Sequence, residues 1–221
     1  GTSGDVTLNV DLISKQAGTN FTNSVLVGTS STGTLNAAEG NTGVGTSVLA
    51  ALTSGDNNVA VGYNSLLANT TGAQNVALGA TALDANTIGC RGVAIGYNAM
   101  GANTDGNFNT AVGRSALSTN TTGDNNVSVG YSSLQNSTTS SNNTSVGMES
   151  MFLNTTGANN TAMGLCSLRA NTTANNNTAV GVSALTTNTT GDRNTATGRG
   201  ALNFNTTGAC NSGHGMYSLY N

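Results

Sequence analysis

The side chains that most often do chemistry are scarce in this 221-residue chain and lie far apart along it. It has one histidine, His214, whereas nucleophilic triads and metal centres need histidine beside cysteine, serine or carboxylate groups. His214 replaces valine in a repeated motif, so we expect a structural position that faces the core. No catalytic site is visible, and the sequence predicts a protein that is not an enzyme.

Carboxylates are also few. Asp56, Asp124 and Asp192 recur at intervals of four 17-residue repeats, which is about 19 Å if each repeat adds one strand spacing of about 4.8 Å. Calcium needs about six to eight oxygens at one place, and glycoside hydrolysis needs two neighbouring carboxyl groups. We therefore expect solvated turns at these positions, with no metal and no cofactor.

The three cysteines, Cys90, Cys166 and Cys210, fall at different positions of the repeat and several repeats apart. A disulfide needs Cα atoms within about 7 Å, so bridges within one chain are excluded, and no C-x-x-C pair is present. Two interpretations remain open. The cysteines are unpaired small residues, or an interchain disulfide forms, especially through Cys210.

A strict 17-residue repeat positions all of these side chains. We number each unit from the glycine of the motif N-T-A-V-G, which is position 0. Loops accumulate length changes freely, so an array without insertions or deletions predicts units that stack on one another. The predicted fold class is all-β, a β-solenoid or β-roll of about twelve 17-residue coils. The twelve glycines in register are Gly28, Gly45, Gly62, Gly79, Gly96, Gly113, Gly130, Gly147, Gly164, Gly181, Gly198 and Gly215.

Apolar residues recur at two positions of the repeat, which we predict to form the core. Position −1 carries valine in most units, as in Val61, and position +4 carries leucine or methionine, as in Leu66 and Met100. Position −3 is mostly β-branched and shares a face with position −1, given the two-residue period of a strand. One unit is expected to form a strand, a bend at the glycine, a second strand and an N-T-T-G turn.

Positions −2 and +3 are restricted to small side chains, such as Ala60 and Ser65. Each coil buries only two or three sizeable side chains, which is a thin core for a free-standing rod. The small-residue columns permit close approach of another backbone. We expect another copy of the chain to cover them, normally in closed cyclic symmetry.

Asparagine dominates position +7. Stacked amides can hydrogen-bond along the stack, as in cross-β ladders. Many of these residues also begin Asn-x-Thr sequons, and an internal ladder would make their amides unavailable for glycosylation. The predicted structural ladder comprises Asn69, Asn86, Asn103, Asn120, Asn154, Asn171, Asn188 and Asn205.

Position +1 varies most in size and charge, so we expect it to face outward. Tyrosine occupies it on alternate units, and arginine occurs in the same column. This column is the candidate recognition surface for a cell-surface glycan or a receptor, although scattered surface aromatics are also normal. Its members of interest are Tyr63, Tyr97, Tyr131, Arg114 and Arg199.

The composition excludes several classes of protein. Thirty glycines, no proline and 7% charged residues are unlike an ordinary globular domain, and the regular apolar positions exclude a disordered chain. Collagen would need glycine at every third residue, and no apolar run approaches the roughly 20 residues of a membrane span. Six scattered basic residues and a net charge of −3 argue against binding to nucleic acid.

Residues 1–23 fit the repeat poorly, because Asp11 replaces the glycine and Lys15 the core leucine. The segment is either a degenerate capping coil or a strand that pairs elsewhere, including with a neighbouring molecule. We therefore divide the chain into an irregular segment, 1–23, and a solenoid, 24–221. Open solenoid edges are sticky, so the chain is either part of something longer or its ends meet other subunits.

The units N-T-A-V-G-R-S-A-L-S-T-N-T-T-G (109–123) and N-T-A-V-G-V-S-A-L-T-T-N-T-T-G (177–191) resemble repeats in the fibre proteins of phages and large viruses. The pieces N-V-A-V-G (58–62), N-V-A-L-G (75–79) and G-V-A-I-G (92–96) resemble the head repeats of trimeric autotransporter adhesins, which fold as a left-handed β-roll. The repeat length departs from the autotransporter pattern. The resemblance covers about residues 24–221 and implies a trimeric rod, extracellular or on a virion surface.

Three functions are compatible with these observations. The leading hypothesis is a structural one: a rigid, non-enzymatic shaft of a fibre or adhesin that acts as an extracellular spacer in attachment, with other copies of itself as partners. The second is a subunit that polymerises head to tail into an extracellular filament, its N-terminal segment completing the neighbour's sheet. The third is an ice-binding solenoid, which is weaker because consecutive threonines point to opposite sides of a strand.

Overall fold

The computed structural model describes residues 21–28 and 32–220, and within them it consists of short parallel strands and turns, with no helix. Most of the irregular segment expected at 1–23 lies outside the described residues. The strands are β1 (Phe21–Thr22), β2 (Val25–Val27), β3 (Ala38–Glu39), β4 (Thr42–Val44), β5 (Val59–Val61), β6 (Val76–Leu78), β7 (Val93–Ile95), β8 (Thr110–Val112), β9 (Val127–Val129), β10 (Thr144–Val146), β11 (Thr161–Met163), β12 (Thr178–Val180), β13 (Thr195–Thr197) and β14 (Ser212–His214).

One parallel sheet of 12 strands, β2 and β4–β14, runs along the molecule in sequence order. Every strand pairs with the strand one repeat away, as in the register Thr110 with Val127. Each repeat is therefore one coil, and the described residues make a β-solenoid of about eleven turns. The predicted solenoid and its 17-residue register are confirmed.

The 17-residue spacing also relates the two strands that lie outside the main sheet. Phe21 and Thr22 of β1 pair in parallel with Ala38 and Glu39 of β3, again 17 residues on, in a separate two-stranded sheet. Two residues of the segment 1–23, which the sequence predicts to be irregular, thus take part in pairing with the 17-residue spacing.

The prediction that position −1 forms the core is wrong. In β5 the middle residue Ala60 is fully buried, whereas Val61 is 39% exposed. Strand alternation shows that positions −3 and −1 share a face but not which face is inside. The inner face carries small residues in most coils because fully buried leucines such as Leu66 fill the coil from the opposite wall and leave room for only a small side chain.

Position +4 does form the core, as predicted, and its leucines adopt an unusual backbone. Leu66 has a φ of 50°, and Asn64 two residues earlier has a φ of 54°. The left-handed region costs a leucine about 1–2 kcal/mol, which complete burial of its side chain offsets at about 1.5–3 kcal/mol. Its amide also bonds the next coil, since Leu66 N donates to Ala82 O at 3.0 Å.

These left-handed residues replace the expected second strand with a chain of turns. Ser65 N donates to Gly62 O at 3.4 Å, and Asn69 N donates to Leu66 O at 3.3 Å, so successive turns close three residues apart. The segment cannot be extended, because positive φ at positions +2 and +4 reverses the backbone direction twice. Each coil of the main sheet thus has one strand and one turn-built wall.

The glycine at position 0 is fixed by backbone geometry and by the next coil together. Gly113 has a φ of 134°, and a Cβ there would lie 2.5 Å from the carbonyl oxygen of Gly130. A side chain would therefore be strained and would collide with backbone. The same combination of positive φ and a backbone collision with the next coil recurs from Gly45 to Gly198, and at Gly28 and Gly215 the positive φ alone favours glycine.

The small residues at positions −2 and +3 pack inside their own coil. Ala60 and Ser65 are both fully buried within a single chain. The expectation that another copy covers these columns is therefore wrong. Any surface left for a partner must lie elsewhere on the coil.

Candidate functional site

The asparagines at position +7 stack into a ladder inside the solenoid. Asn86 Nδ2 donates to Asn69 Oδ1 at 2.8 Å and to the carbonyl oxygen of Gly89 at 3.0 Å. All the ladder residues except Asn205 are buried. Because both amide hydrogens of Asn86 are used, a glycan attached to its nitrogen would break the ladder. The other ladder bonds join Asn103 to Asn86, Asn120 to Asn103, Asn171 to Asn154, Asn188 to Asn171 and Asn205 to Asn188.

The ladder is interrupted at Ser137, and a second serine bridges the gap. Ser140 stands where most units carry the turn glycine, and its hydroxyl hydrogen-bonds to that of Ser137. It also accepts from Asn143 Nδ2 at 3.0 Å and from Asn154 Nδ2 at 3.2 Å. The two replacements are complementary, since the shorter side chain at 137 leaves space for the added hydroxyl at 140.

A second asparagine ladder runs through position −4 and is not among the sequence predictions. Asn58 Oδ1 accepts from the backbone N–H of Asn75 at 3.0 Å, and Asn58 Nδ2 donates to Gly72 O at 2.9 Å. The same acceptor pattern recurs along the stack and is interrupted at Gly92, which carries no side chain. The leading asparagine of the N-T-A-V-G motif was the available signal for it.

The three aspartates of the shared turn position cap backbone groups. Asp124 Oδ1 accepts from Asn107 N at 2.6 Å, and Asp192 Oδ1 accepts from Asn175 N at 2.6 Å. Asp56 Oδ1 likewise accepts from Glu39 N, one coil earlier, at 2.8 Å. Each carboxylate thus satisfies an N–H one coil away. Within the described residues, no three His, Cys, Asp or Glu side chains come together as a metal site would require.

The cysteines do not meet. Cys90, Cys166 and Cys210 are all free, and Cys210 is exposed. Burial raises the pKa of the Cys166 thiol, and the negative charge of Glu149 raises that pKa further. Arg169 opposes this effect and forms an ion pair with Glu149 at 2.8 Å. The fraction of Cys166 in the thiolate form at neutral pH is therefore lower than for an ordinary cysteine.

His214 lies on the outer face of β14 and is exposed, so the prediction of a core-facing position is wrong. The error follows from the reversed faces of the strand. Its Nδ1 lies 2.6 Å from Thr197 Oγ1, and its Nε2 lies 2.9 Å from Ser212 Oγ. A nucleophilic triad needs a carboxylate on the far side of the imidazole and a site that stabilises an oxyanion. A threonine hydroxyl on an open strand face supplies neither.

The outward side chains of the strands form a surface with an unbroken apolar row at position −1 and valine or threonine at position −3, from β2 to β12. We call it the outer strand face and define it as positions −3 and −1 of β2 and β4–β14. Neither position carries Asp, Glu, Lys or Arg in any of these strands. Eleven steps of about 4.8 Å make it about 53 Å long. Its exposed residues include Val25, Val44, Val61, Leu78, Ile95, Val127, Met163 and Val180.

The tyrosines at position +1 are exposed, at 57% for Tyr63, 55% for Tyr97 and 46% for Tyr131. Arg114 lies between the last two, with Cζ 5.7 Å from the Tyr97 ring centroid and 5.8 Å from that of Tyr131. Arg199 belongs to the same column but stacks instead on Tyr217 at 5.7 Å. The column therefore contains one stacked cluster and does not bring all five candidate residues together.

Comparison with known protein families, curated proteins and solved structures finds no match to this chain. In the part of the chain that the structure describes, no helix has the length and hydropathy needed to cross a membrane. The fold and its surfaces are therefore the basis for a functional proposal.

Proposed function

We propose that the chain is the stiff, non-enzymatic shaft of a homo-oligomeric fibre, a rod that assembles through its outer strand face and acts as a spacer in attachment. The observation that carries this proposal is the outer strand face, which carries no Asp, Glu, Lys or Arg in any of the 12 strands and is apolar at position −1 from β2 to β12. Monomeric proteins seldom expose contiguous apolar patches larger than a few hundred Å². Among the buried side-chain atoms of the polar ladders in the described residues, only Asn177 Nδ2 has no hydrogen-bond partner, so the outer strand face is the surface that gains most from a partner.

The dimensions of the outer strand face suit a second copy of the same chain. A length of about 53 Å and a width of about 10 Å give a projected area of roughly 530 Å², and the ridged side chains expose more. A standard interface buries about 800 Å² on each partner. The face repeats at every coil, so parallel copies can meet coil by coil along the rod axis in cyclic packing.

A trimer is favoured by the resemblance of the repeats to autotransporter head repeats and to viral fibres. The same resemblance favours an extracellular or virion location. In such a rod, backbone bonds and asparagine ladders resist bending, and several copies presented together convert weak contacts at a tip into avidity.

Light scattering after size exclusion tests the proposal. Wild-type chain should elute as one discrete species of three chain masses. The double substitution Val61→Glu and Ile95→Glu places two carboxylates on the outer strand face and should give a monomer with an unchanged circular dichroism spectrum. Thr71→Glu with Thr122→Glu, at exposed turn positions, is the matched control and should leave the trimer intact.

A wild-type chain that is monomeric at micromolar concentration would overturn the shaft proposal. Open-ended polymers that persist in the Val61→Glu, Ile95→Glu variant would overturn it in favour of the head-to-tail filament.

The threonine pairs give little support to ice binding. Thr70 Oγ1 donates to Thr87 O of the next coil at 3.0 Å, and Thr87 repeats the bond to Thr104. The first threonine of each such pair is therefore committed to the backbone. The second is exposed, as at Thr71, and the first is half-buried in most coils, which leaves little more than a single file of threonines where a flat array is needed.

A further inference from the structure

The arginine side chains of the solenoid repeatedly pair with an aromatic ring one coil away. Of the five arginines among the described residues, four have the guanidinium carbon within 6 Å of a ring centroid, and the fifth is Arg193. Only Arg169 also has a carboxylate partner in the part of the chain that is described. The pairs are Arg91 with Phe108, Arg114 with Tyr97 and Tyr131, Arg169 with Phe152 and Arg199 with Tyr217.

The Arg114 pair differs from the others because two rings enclose one guanidinium. Tyr97 stands one coil before Arg114 and Tyr131 one coil after it, and the distances from Cζ to the two centroids differ by only 0.1 Å, 5.7 against 5.8 Å. A two-coil step of about 9.6 Å is therefore a spacing at which two tyrosines enclose a planar cation.

The same two-coil spacing occurs between the two preceding tyrosines of the column, nearer the N-terminus, but without a cation between the rings. Tyr63 and Tyr97 are also two coils apart in the same column, and the residue between them is Ala80. The strands that carry these coils pair in unbroken 17-residue register, so the two steps are equivalent. The methyl group of Ala80 cannot fill the space between Tyr63 and Tyr97 as the Arg114 side chain fills the equivalent space two coils later. Tyr63 and Tyr97 are also the most exposed tyrosines of the column.

We propose that Tyr63 and Tyr97 form a slot over Ala80 that binds a guanidinium group, presented by an arginine side chain of a partner polypeptide. A guanidinium is planar and weakly hydrated, and it stacks on aromatic faces better than a compact ammonium does. The chain itself fills the equivalent slot with arginine. This inference does not rest on the oligomeric state, although parallel copies in a rod would multiply a weak single contact.

Nuclear magnetic resonance of chain labelled in its tyrosine rings tests the slot, with N-acetyl-arginine amide as the probe. The Tyr63 and Tyr97 signals should shift in a saturable way with one equivalent bound, in the millimolar range. N-acetyl-citrulline amide, which has the same shape without the charge, should bind at least about tenfold more weakly because it lacks the cation–π attraction. Equal shifts from both probes, or no saturable shift, would overturn the proposal.

Substitutions within the column give a second, independent readout. Ala80→Arg should fill the slot from within the chain and abolish probe binding, whereas Ala80→Gln should leave at least part of it. Arg114→Ala should open a second slot between Tyr97 and Tyr131 and raise the stoichiometry from one probe to two. A lysine probe that binds as tightly as arginine, or an Ala80→Arg chain that still binds the probe, would contradict the assignment.

Discussion

Asn103 Nδ2 donates a hydrogen bond of 2.9 Å to Oδ1 of Asn86, the equivalent residue one coil earlier. The same nitrogen donates to Gly106 O at 3.1 Å, within its own coil. One fully buried amide thus joins two coils and closes a turn. A ladder of such amides supplies axial cohesion in addition to that of the buried leucine and methionine column.

Replacing Asn103 by aspartate should therefore be costly. Asn103→Asp keeps the shape but removes both N–H donors and places acceptor oxygens against Asn86 Oδ1 and Gly106 O. We expect a loss of about 3 kcal/mol or more in unfolding free energy, because buried polar groups lose their partners. Urea denaturation at fixed protein concentration measures it. Asn125→Asp, at an exposed turn position, should cost less than about 0.5 kcal/mol; similar losses for both would refute the role of the ladder.

The core assignment makes opposite predictions for two apolar columns. Leu117→Ala should lower the unfolding free energy by about 2–5 kcal/mol, since the side chain is fully buried and a cavity remains. Val61→Ala on the outer strand face should cost less than about 1 kcal/mol in a monomer. Denaturation of both variants in the Ile95→Glu background separates folding from assembly. If Val61→Ala lowered the unfolding free energy more than Leu117→Ala, position −1 would belong to the core after all.

The gap in the second ladder offers a route to stabilisation. Gly92 stands at position −4 between Asn75 and Asn109, and the Cε of Met100 lies 3.3 Å from where a Cβ of residue 92 would be. Gly92→Asn combined with Met100→Leu restores the residues that neighbouring coils carry. We expect a gain of roughly 1 kcal/mol from the added hydrogen bonds and the stiffer unfolded chain. Thermal melting should show Met100→Leu alone to be close to neutral; a double variant that melts below wild type would contradict the expected repair.

The raised pKa of Cys166 predicts slow alkylation. Below its pKa a thiol reacts in proportion to its thiolate fraction, so burial and Glu149 both slow the reaction of Cys166 near pH 8. Glu149→Gln removes the negative charge, lowers the pKa of the thiol and should raise the iodoacetamide rate roughly twofold. The measurement is mass spectrometry across pH 7–10 in a chain with Cys90→Ser and Cys210→Ser. Arg169→Gln should slow the reaction, and a rate that does not respond to either change would show that the charges do not control the thiol.

Much of the fold followed from the sequence because the repeat is strict. The register of 17, the parallel stacking and the need for glycine at Gly113 are all visible as columns, since stacking repeats the same local environment in every coil. The ladder through Asn86 and Asn103 was visible for the same reason. The leading asparagine of N-T-A-V-G carried an equal signal for the second ladder.

Which side of each strand is inside was decided only by the tertiary structure. The two-residue period of a strand places Val59 and Val61 on one face and Ala60 on the other. It does not say which of the two faces points into the coil. Left-handed backbone at Asn64 and Leu66 folds the second wall inward and carries its leucine into the coil, where only a small side chain fits opposite. That backbone is a property of successive turns held by neighbouring coils, so no single unit reveals it. It leaves the valines outside, and with them the surface through which we propose that the rod assembles.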